Sequence, residues 1–202
     1  MAIQFPLTSA RLQVRPFRTE DRTAIHAVYG DPEVMRYVAY GNAVPATESA
    51  AMVDDYIQHQ RMHGYSFWAV IERSTGRLIG DAGFEARDVG AEFGYTLARQ
   101  SWGQGLATEV GQLCLAAAFD QLRLPELTAV VDPRNPASAR VLDKLGFRPH
   151  GECFEYGRPH RRYLITAENW RRGCPSEPIA GTFPTFARHS RGRPRRIDRE
   201  FL

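Results

Sequence analysis

Residues 99–109 read Arg-Gln-Ser-Trp-Gly-Gln-Gly-Leu-Ala-Thr-Glu, with two glycines ahead of a helix-like run. A helix start carries unpaired N–H groups and a partial positive charge, and glycines in front of it let the backbone approach an anion. The anion that suits such a loop is a phosphate or pyrophosphate. Gly-Gln-Gly-Leu-Ala-Thr lacks the third small residue of a dinucleotide fingerprint, and no Gly-Lys-Ser/Thr is present, so neither a Rossmann nor a Walker loop is expected. A tight turn with a glycine N-cap is the rival reading of the same residues.

Other residues could also do chemistry. Asn135-Pro136 is a favoured helix start, with Asn as N-cap and Pro at the first helical position. Asp81 falls on the strand 77–85 and is expected at its surface, with a place facing an acceptor group as the other reading. Trp68 and Trp102 are expected in the core or at a rim. His59 and His63 lie four apart on a helix, but without a third ligand or a His-Glu-x-x-His pattern no metal site is expected. Lys144, the one lysine, falls in a last helical turn, where the helix dipole accounts for it.

The elements that must position these groups follow from periodicity. Residues 10–17 alternate as a half-buried strand does. Two short helices broken at Gly30-Asp31-Pro32 come next, then a helix from an N-cap at Thr47 to a C′ glycine at Gly64. Three consecutive strands, 65–73, 77–85 and 91–97, read as antiparallel hairpins. A helix over 106–122, a strand over 126–132, a helix over 137–147 and two strands near 147–156 and 160–167 complete the pattern. A strand–helix–strand crossover implies one parallel pair. The expected fold is a single α/β (α+β) domain over 1–170, with a mixed, mostly antiparallel sheet of six to seven strands flanked by helices.

The chain has 202 residues, enough for one sizeable core. From Arg171 onward eight Arg face three acids, so the positive net charge lies in the tail and the body is nearly neutral. Residues 171–202 lack periodicity and read as an Arg-rich flexible tail, docked at most through Phe183 and Phe186. Three scattered cysteines, Cys114, Cys153 and Cys174, argue against a disulfide framework and for a reducing compartment. No signal peptide or membrane span is read from the sequence, so a cytoplasmic location is expected.

The pattern Gln100-x-x-Gly103-x-Gly105, continued by Ala107-Thr108-Glu109, resembles the acyl-CoA pyrophosphate loop of the GNAT N-acetyltransferase superfamily. Together with Asn135-Pro136-Ala137-Ser138 and Lys144-Leu145-Gly146-Phe147, it is similar to the ribosomal-protein N-terminal acetyltransferase (RimJ/RimL-like) branch. The resemblance spans about residues 8 to 168 in element order.

It implies acetyl transfer from acetyl-CoA to a primary amine, a protein N-terminal α-amine among them, with a small amine such as an antibiotic or polyamine as the alternative. It implies no metal. The amides of Gly103, Gln104, Gly105, Ala107 and Thr108 would hold the pyrophosphate. Strand 91–97 would splay from strand 126–132 to admit the pantetheine arm, with the N–H near Leu97 toward the thioester oxygen. Asn135 would touch the arm, and Ser138 would protonate the leaving thiolate, unless it is a plain first-turn serine. Glu155, beside Tyr156, is the first choice of general base and Glu92 the second.

A nucleic-acid or ribosome-binding module acting through the Arg-rich tail is the rival of another class. A silent acyl-CoA binder is disfavoured because Glu92, Glu155 and Ser138 are all present. The expected assembly is a monomer or a homodimer.

Overall fold

Apolar residues at every second position drive the sheet, and a computed structural model describes residues 2–173. The strands are β1 (Leu7–Thr8), β2 (Leu12–Pro16), β3 (Phe67–Glu72), β4 (Leu78–Ala86), β5 (Ala91–Leu97), β6 (Glu126–Val131), β7 (Arg148–Glu155) and β8 (Arg158–Thr166). The helices are α1 (Asp21–Tyr29), α2 (Pro32–Met35), α3 (Ala46–His63), α4 (Leu106–Ala116), α5 (Pro136–Leu145) and α6 (Ala167–Arg171). The expected class holds, but the sheet has eight strands where six to seven were expected. The addition is β1, whose two residues are too few to show a period. The tail expected over 171–202, with Phe183 and Phe186, lies outside the described residues apart from Arg171–Gly173.

Several local signals act as read. Asp31 caps α2 by accepting from the Glu33 N–H at 2.9 Å. Gly64 and Gly146 close α3 and α5 in the left-handed conformation, at φ 78° and 92°. Two ends differ. Helix α3 starts two residues earlier than expected, at Ala46 after an N-cap at Pro45, so Thr47 is inside it rather than its cap. Helix α4 ends at Ala116 and continues as a π-helical turn over Ala117–Gln121.

The strand order is β1-β2-β3-β4-β5-β6-β8-β7. Every neighbour pair is antiparallel except β5–β6, the crossover pair around α4. That parallel pair is joined at a single register position, Glu92 opposite Thr128. Toward Leu97 the two strands part. The sheet is therefore two antiparallel halves, β1–β5 and β6–β8, hinged at the start of β5.

Helices cover both faces. Leu106, Val110, Cys114 and Leu115 of α4 and Leu142 and Leu145 of α5 pack with Trp68, Val70, Phe84, Phe93 and Phe147 in the larger core. Ile25, Val28 and Tyr29 of α1, Met35 of α2 and Val53 of α3 form a second core over Ala69. No helix among the described residues is long and apolar enough to cross a membrane.

Candidate active site

Strand β5 ends at Leu97, and the chain turns through a short helical turn, Arg99–Ser101, into the glycine loop. The indole N–H of Trp102 donates to the Leu97 carbonyl at 2.8 Å and closes the loop on the strand end, with the ring half exposed at the rim. Gly103 and Gly105 take φ 72° and 77°, a conformation that other residues adopt only with strain. Gly105 is the N-cap of α4 and offers no capping side chain. Among the described residues, the N–H groups of Gly103, Gln104, Gly105, Leu106, Ala107 and Thr108 find no protein acceptor. They lie at and just ahead of the positive end of α4, where an anion is favoured.

A brace beneath this loop was not legible in the sequence. Glu109 accepts from the Ser9 hydroxyl at 2.7 Å, from the Arg11 N–H at 3.1 Å and from Arg11 Nε at 2.7 Å. Arg11 also donates to the Gln104 carbonyl at 2.9 Å. Burial raises the Glu109 pKa, but the bonds from Ser9 and Arg11 outweigh it and the net shift is downward. The guanidinium thus ties the turn before β2 to the loop and to the first turn of α4. The two partners lie 98 residues apart, so no local pattern links them.

The gap beyond the single β5–β6 bridge faces this loop. Ala98 N–H donates to Ile79 O on the β4 side at 2.7 Å. Backbone N–H directions alternate along a strand. The Leu97 N–H therefore points away from β4 and into the gap. On the far bank, Asn135 caps α5 by accepting from the Ser138 N–H at 3.1 Å, so its side-chain oxygen is taken while its amide NH2 is not bonded. Tyr95 Oη donates across the gap to Ser138 Oγ at 3.2 Å. Asp132 anchors this bank from beneath. It is 2 % exposed, is gripped by Arg134 at 2.7 Å and lies 3.0 Å from Arg158 Nε. The Arg134 bonds, with Arg158 adding charge, hold its carboxyl down at about 2.

The face toward α1 and α3 carries carboxylates. Register puts Asp81 opposite Thr96, Gly83 opposite Gly94 and Glu85 opposite Glu92, all on one side of β4–β5. Between the charges the backbone is bare: a Cβ on Gly94 would lie 3.1 Å from the Phe67 ring, and one on Gly83 would strike the Ser66 carbonyl at 2.1 Å. Arg87 pairs with Glu92 and reaches Glu85 at 4.0 Å and the Tyr156 hydroxyl at 3.5 Å. Burial raises the Glu85 pKa, which Arg87 and His59 only partly offset.

Tyr156 turns the β7–β8 hairpin at φ 50° and meets Tyr40 edge-on at 5.6 Å. Glu155 sits on the same hairpin. Its charge and that of Glu92 are both felt at Cys153, whose thiol burial pushes up. The predicted residues thus fall into three places: Leu97, Gly103–Gly105, Ala107, Thr108, Asn135 and Ser138 around the gap, Glu92 at its closed end opposite Thr128, and Glu155 at the tip of the β7–β8 hairpin opposite Arg158, toward the open end.

One expectation changes. Asp81 is not a surface residue: it is 2 % exposed, because α1 and α3 cover a strand face that alternation alone leaves open. Its Oδ1 and the Tyr29 hydroxyl are buried without a hydrogen bond of good geometry. Burial pushes the carboxyl up to about 7, although Tyr29 and Thr96 approach closely enough to favour its charge. His59 is structural: Nδ1 meets the Tyr65 carbonyl at 2.8 Å and Nε2 accepts from the Ala86 N–H at 3.2 Å, so both ring nitrogens are used.

Unpartnered amides at a helix start, beside a sheet whose strands part, suit a ligand with an anionic group and an extended arm. The chain belongs to the acetyltransferase (GNAT) domain family, whose model matches residues 11–148, and it is an acetyl-CoA-dependent N-acetyltransferase. It is 33 % identical to the uncharacterized N-acetyltransferase YoaA of Bacillus subtilis, over 75 % of this chain and 88 % of that protein. It is 26 % identical to the spermidine N(1)-acetyltransferase of Escherichia coli, over 70 % of this chain and 75 % of that one. The crystal structure of ribosomal-protein-S5-alanine acetyltransferase from Vibrio fischeri superposes with a TM-score of 0.68 at 18 % identity, covering 83 % of this chain and 99 % of the other.

Proposed function

We propose that the enzyme acetylates the primary amine of a small cationic acceptor, with residues 1–170 as the catalytic unit. In this reading the amides of Gly103, Gln104, Gly105, Ala107 and Thr108 hold the pyrophosphate of acetyl-CoA, and the Asn135 amide meets the pantetheine arm in the gap. The cofactor supplies the activated acetyl thioester. The Leu97 N–H stabilises the charge that develops on the thioester oxygen. Ser138, held by Tyr95, gives its proton to the departing thiolate. Glu92 stands at the closed end of the gap and Glu155 on the β7–β8 hairpin. Both are in line to take the amine's proton directly or through one water.

The observation that carries the acceptor class is the Glu85–Glu92 pair. Two carboxylates face each other across β4–β5 with Arg87 as their shared cation. Like charges placed so are unfavourable without added positive charge, which a second ammonium on the acceptor would supply. The sequence similarity to a spermidine acetyltransferase agrees with this. The rival acceptor, a protein α-amine, is supported by the Trp-Gly-Gln-Gly-Leu-Ala-Thr-Glu, Asn-Pro-Ala-Ser and Lys-Leu-Gly-Phe blocks.

Thermal melts test the donor. Acetyl-CoA at about 100 times its dissociation constant adds roughly 2.7 kcal/mol and should raise the midpoint by about 5–10 °C, whereas NAD and ATP should not. No rise with acetyl-CoA sinks the loop assignment. CoA release with spermidine, a simple monoamine and an N-terminal alanine peptide then ranks the acceptors. Spermidine should lead, and a lead for the peptide would replace this reading with its rival.

A further inference from the structure

Asp81 has no part in the scheme above, yet its placement is hard to explain as structure. A buried carboxylate oxygen without a hydrogen bond costs stability, and Asp81 Oδ1 is one, at 2 % exposure. The residue sits opposite Thr96 in the β4–β5 ladder, and its neighbour Gly80 is opposite Leu97. The carboxyl is thus one strand away from the point where β5 turns its free edge to the gap. The groups facing it are hydroxyls and one further carboxyl: Tyr29 of α1, Tyr56 of α3, Thr96 of β5 and Glu85 of β4, while the Cys114 thiol of α4 feels its charge from the other face of the sheet. None is a cation, so nothing in its surroundings occupies the carboxylate as Arg87 occupies Glu92.

We propose that Asp81 is the proton sink of the acceptor side, reached through the Thr96 hydroxyl. Glu92 or Glu155 takes the proton that turns the ammonium into a free amine, and the second proton, shed as the N–C bond forms, passes to Thr96 Oγ1 as the Thr96 hydroxyl proton passes to Asp81. The amine lone pair forms the N–C bond, and the C–S bond breaks with its electrons on the CoA sulfur. Tyr29 and then the half-buried Tyr56 lead the proton from Asp81 toward solvent. A carboxyl that titrates close to neutrality is matched to this task, and burial sets Asp81 there. Asp81 and Thr96 are positioning residues in this sense: Asp81 acts through Thr96. The assignment rests on the amine-transfer reading above.

The test is kcat and KM against pH for the full chain with acetyl-CoA and spermidine, comparing wild type with Asp81→Asn and Thr96→Val. Asp81→Asn should lower kcat about 100-fold, leave KM for acetyl-CoA unchanged, and remove the inflection of kcat near neutrality. An Asp81→Asn enzyme within threefold of wild type, or one that keeps the inflection, overturns the proposal. Should Asp81→Asn fail to fold, as shown by loss of stabilisation by acetyl-CoA, Thr96→Val decides. It should lower kcat at unchanged KM for acetyl-CoA, and a wild-type kcat overturns the relay. A wild-type protein that acetyl-CoA stabilises but that acetylates no amine refutes the amine-transfer reading and this proposal with it. That result differs from an active wild type alongside an equally active Asp81→Asn.

Discussion

Asp81 and Glu109 are carboxylates set against hydroxyls, and the protein shifts them in opposite directions. Glu109 gains three bonds and ionises more readily, so its contribution is present above its unfolded pKa and is lost on acidification. Asp81 gains none that are well formed, and burial raises its folded pKa to about 7 from 3.8. Between those values the folded chain holds a proton that the unfolded chain has released, so stability from this group falls as pH rises toward 7 and then levels. Asp81→Asn cannot release that proton. Its melting midpoint relative to wild type should therefore climb from pH 4 to pH 7 and stay constant above. Melts over that series check it, and a pH-independent difference would mean that Asp81 is already ionised at acid pH. Neither carboxylate's state was legible in the sequence. Both depend on partners that β4–β5 pairing or the Arg11 brace brings from far along the chain.

At the scale of elements, much was legible where a local signal has a local cause. The glycine loop, the Asn135-Pro136 start of α5 and the glycine ends of α3 and α5 are set by backbone chemistry within a few residues. The splay of β5 from β6 came from family resemblance and not from periodicity, since a strand's alternation says nothing of where its ladder stops. The Tyr95–Ser138 bridge was missed for a related reason: it spans two elements that only the folded sheet sets face to face. The loop itself makes a prediction. A Cβ on Gly103 meets nothing within 4 Å, so Gly103→Ala should fold. Holding alanine at positive φ costs about 1–2 kcal/mol, and the loop escapes that cost by turning its amides away. KM for acetyl-CoA should rise roughly tenfold, the equivalent of about 1.4 kcal/mol, with kcat little changed. Steady-state kinetics at varied acetyl-CoA checks this, and an unchanged KM would remove the loop from the donor site.

The described residues form one eight-stranded sheet whose two halves are joined by a single ladder bridge. Among the described residues, the halves meet through Glu92–Thr128, the Tyr95–Ser138 bond, a Thr128 hydroxyl contact to the Ala91 carbonyl at 3.3 Å, the Arg87–Tyr156 contact and the stacked rings of Phe93 and Phe147, among other contacts. An extended arm lying in the gap would add a strand to the free edge of 95–97. The Tyr95 and Leu97 amides should then exchange hydrogen markedly more slowly with acetyl-CoA bound. Exchange read by NMR checks it, and unaltered rates at these two positions would place the arm elsewhere.

The outer margins of the sheet are guarded. Strand β1 is two residues long, and β7 carries Pro149, a register shift before Glu152 and a left-handed Gly151, features that discourage a neighbouring chain from adding a strand. The inner margin at 95–97 has no such guard, because a proline or a bulge there would exclude the donor. Were the donor's arm to lie there, its departure would leave the backbone groups of 95–97 as the one unguarded margin among the described strands.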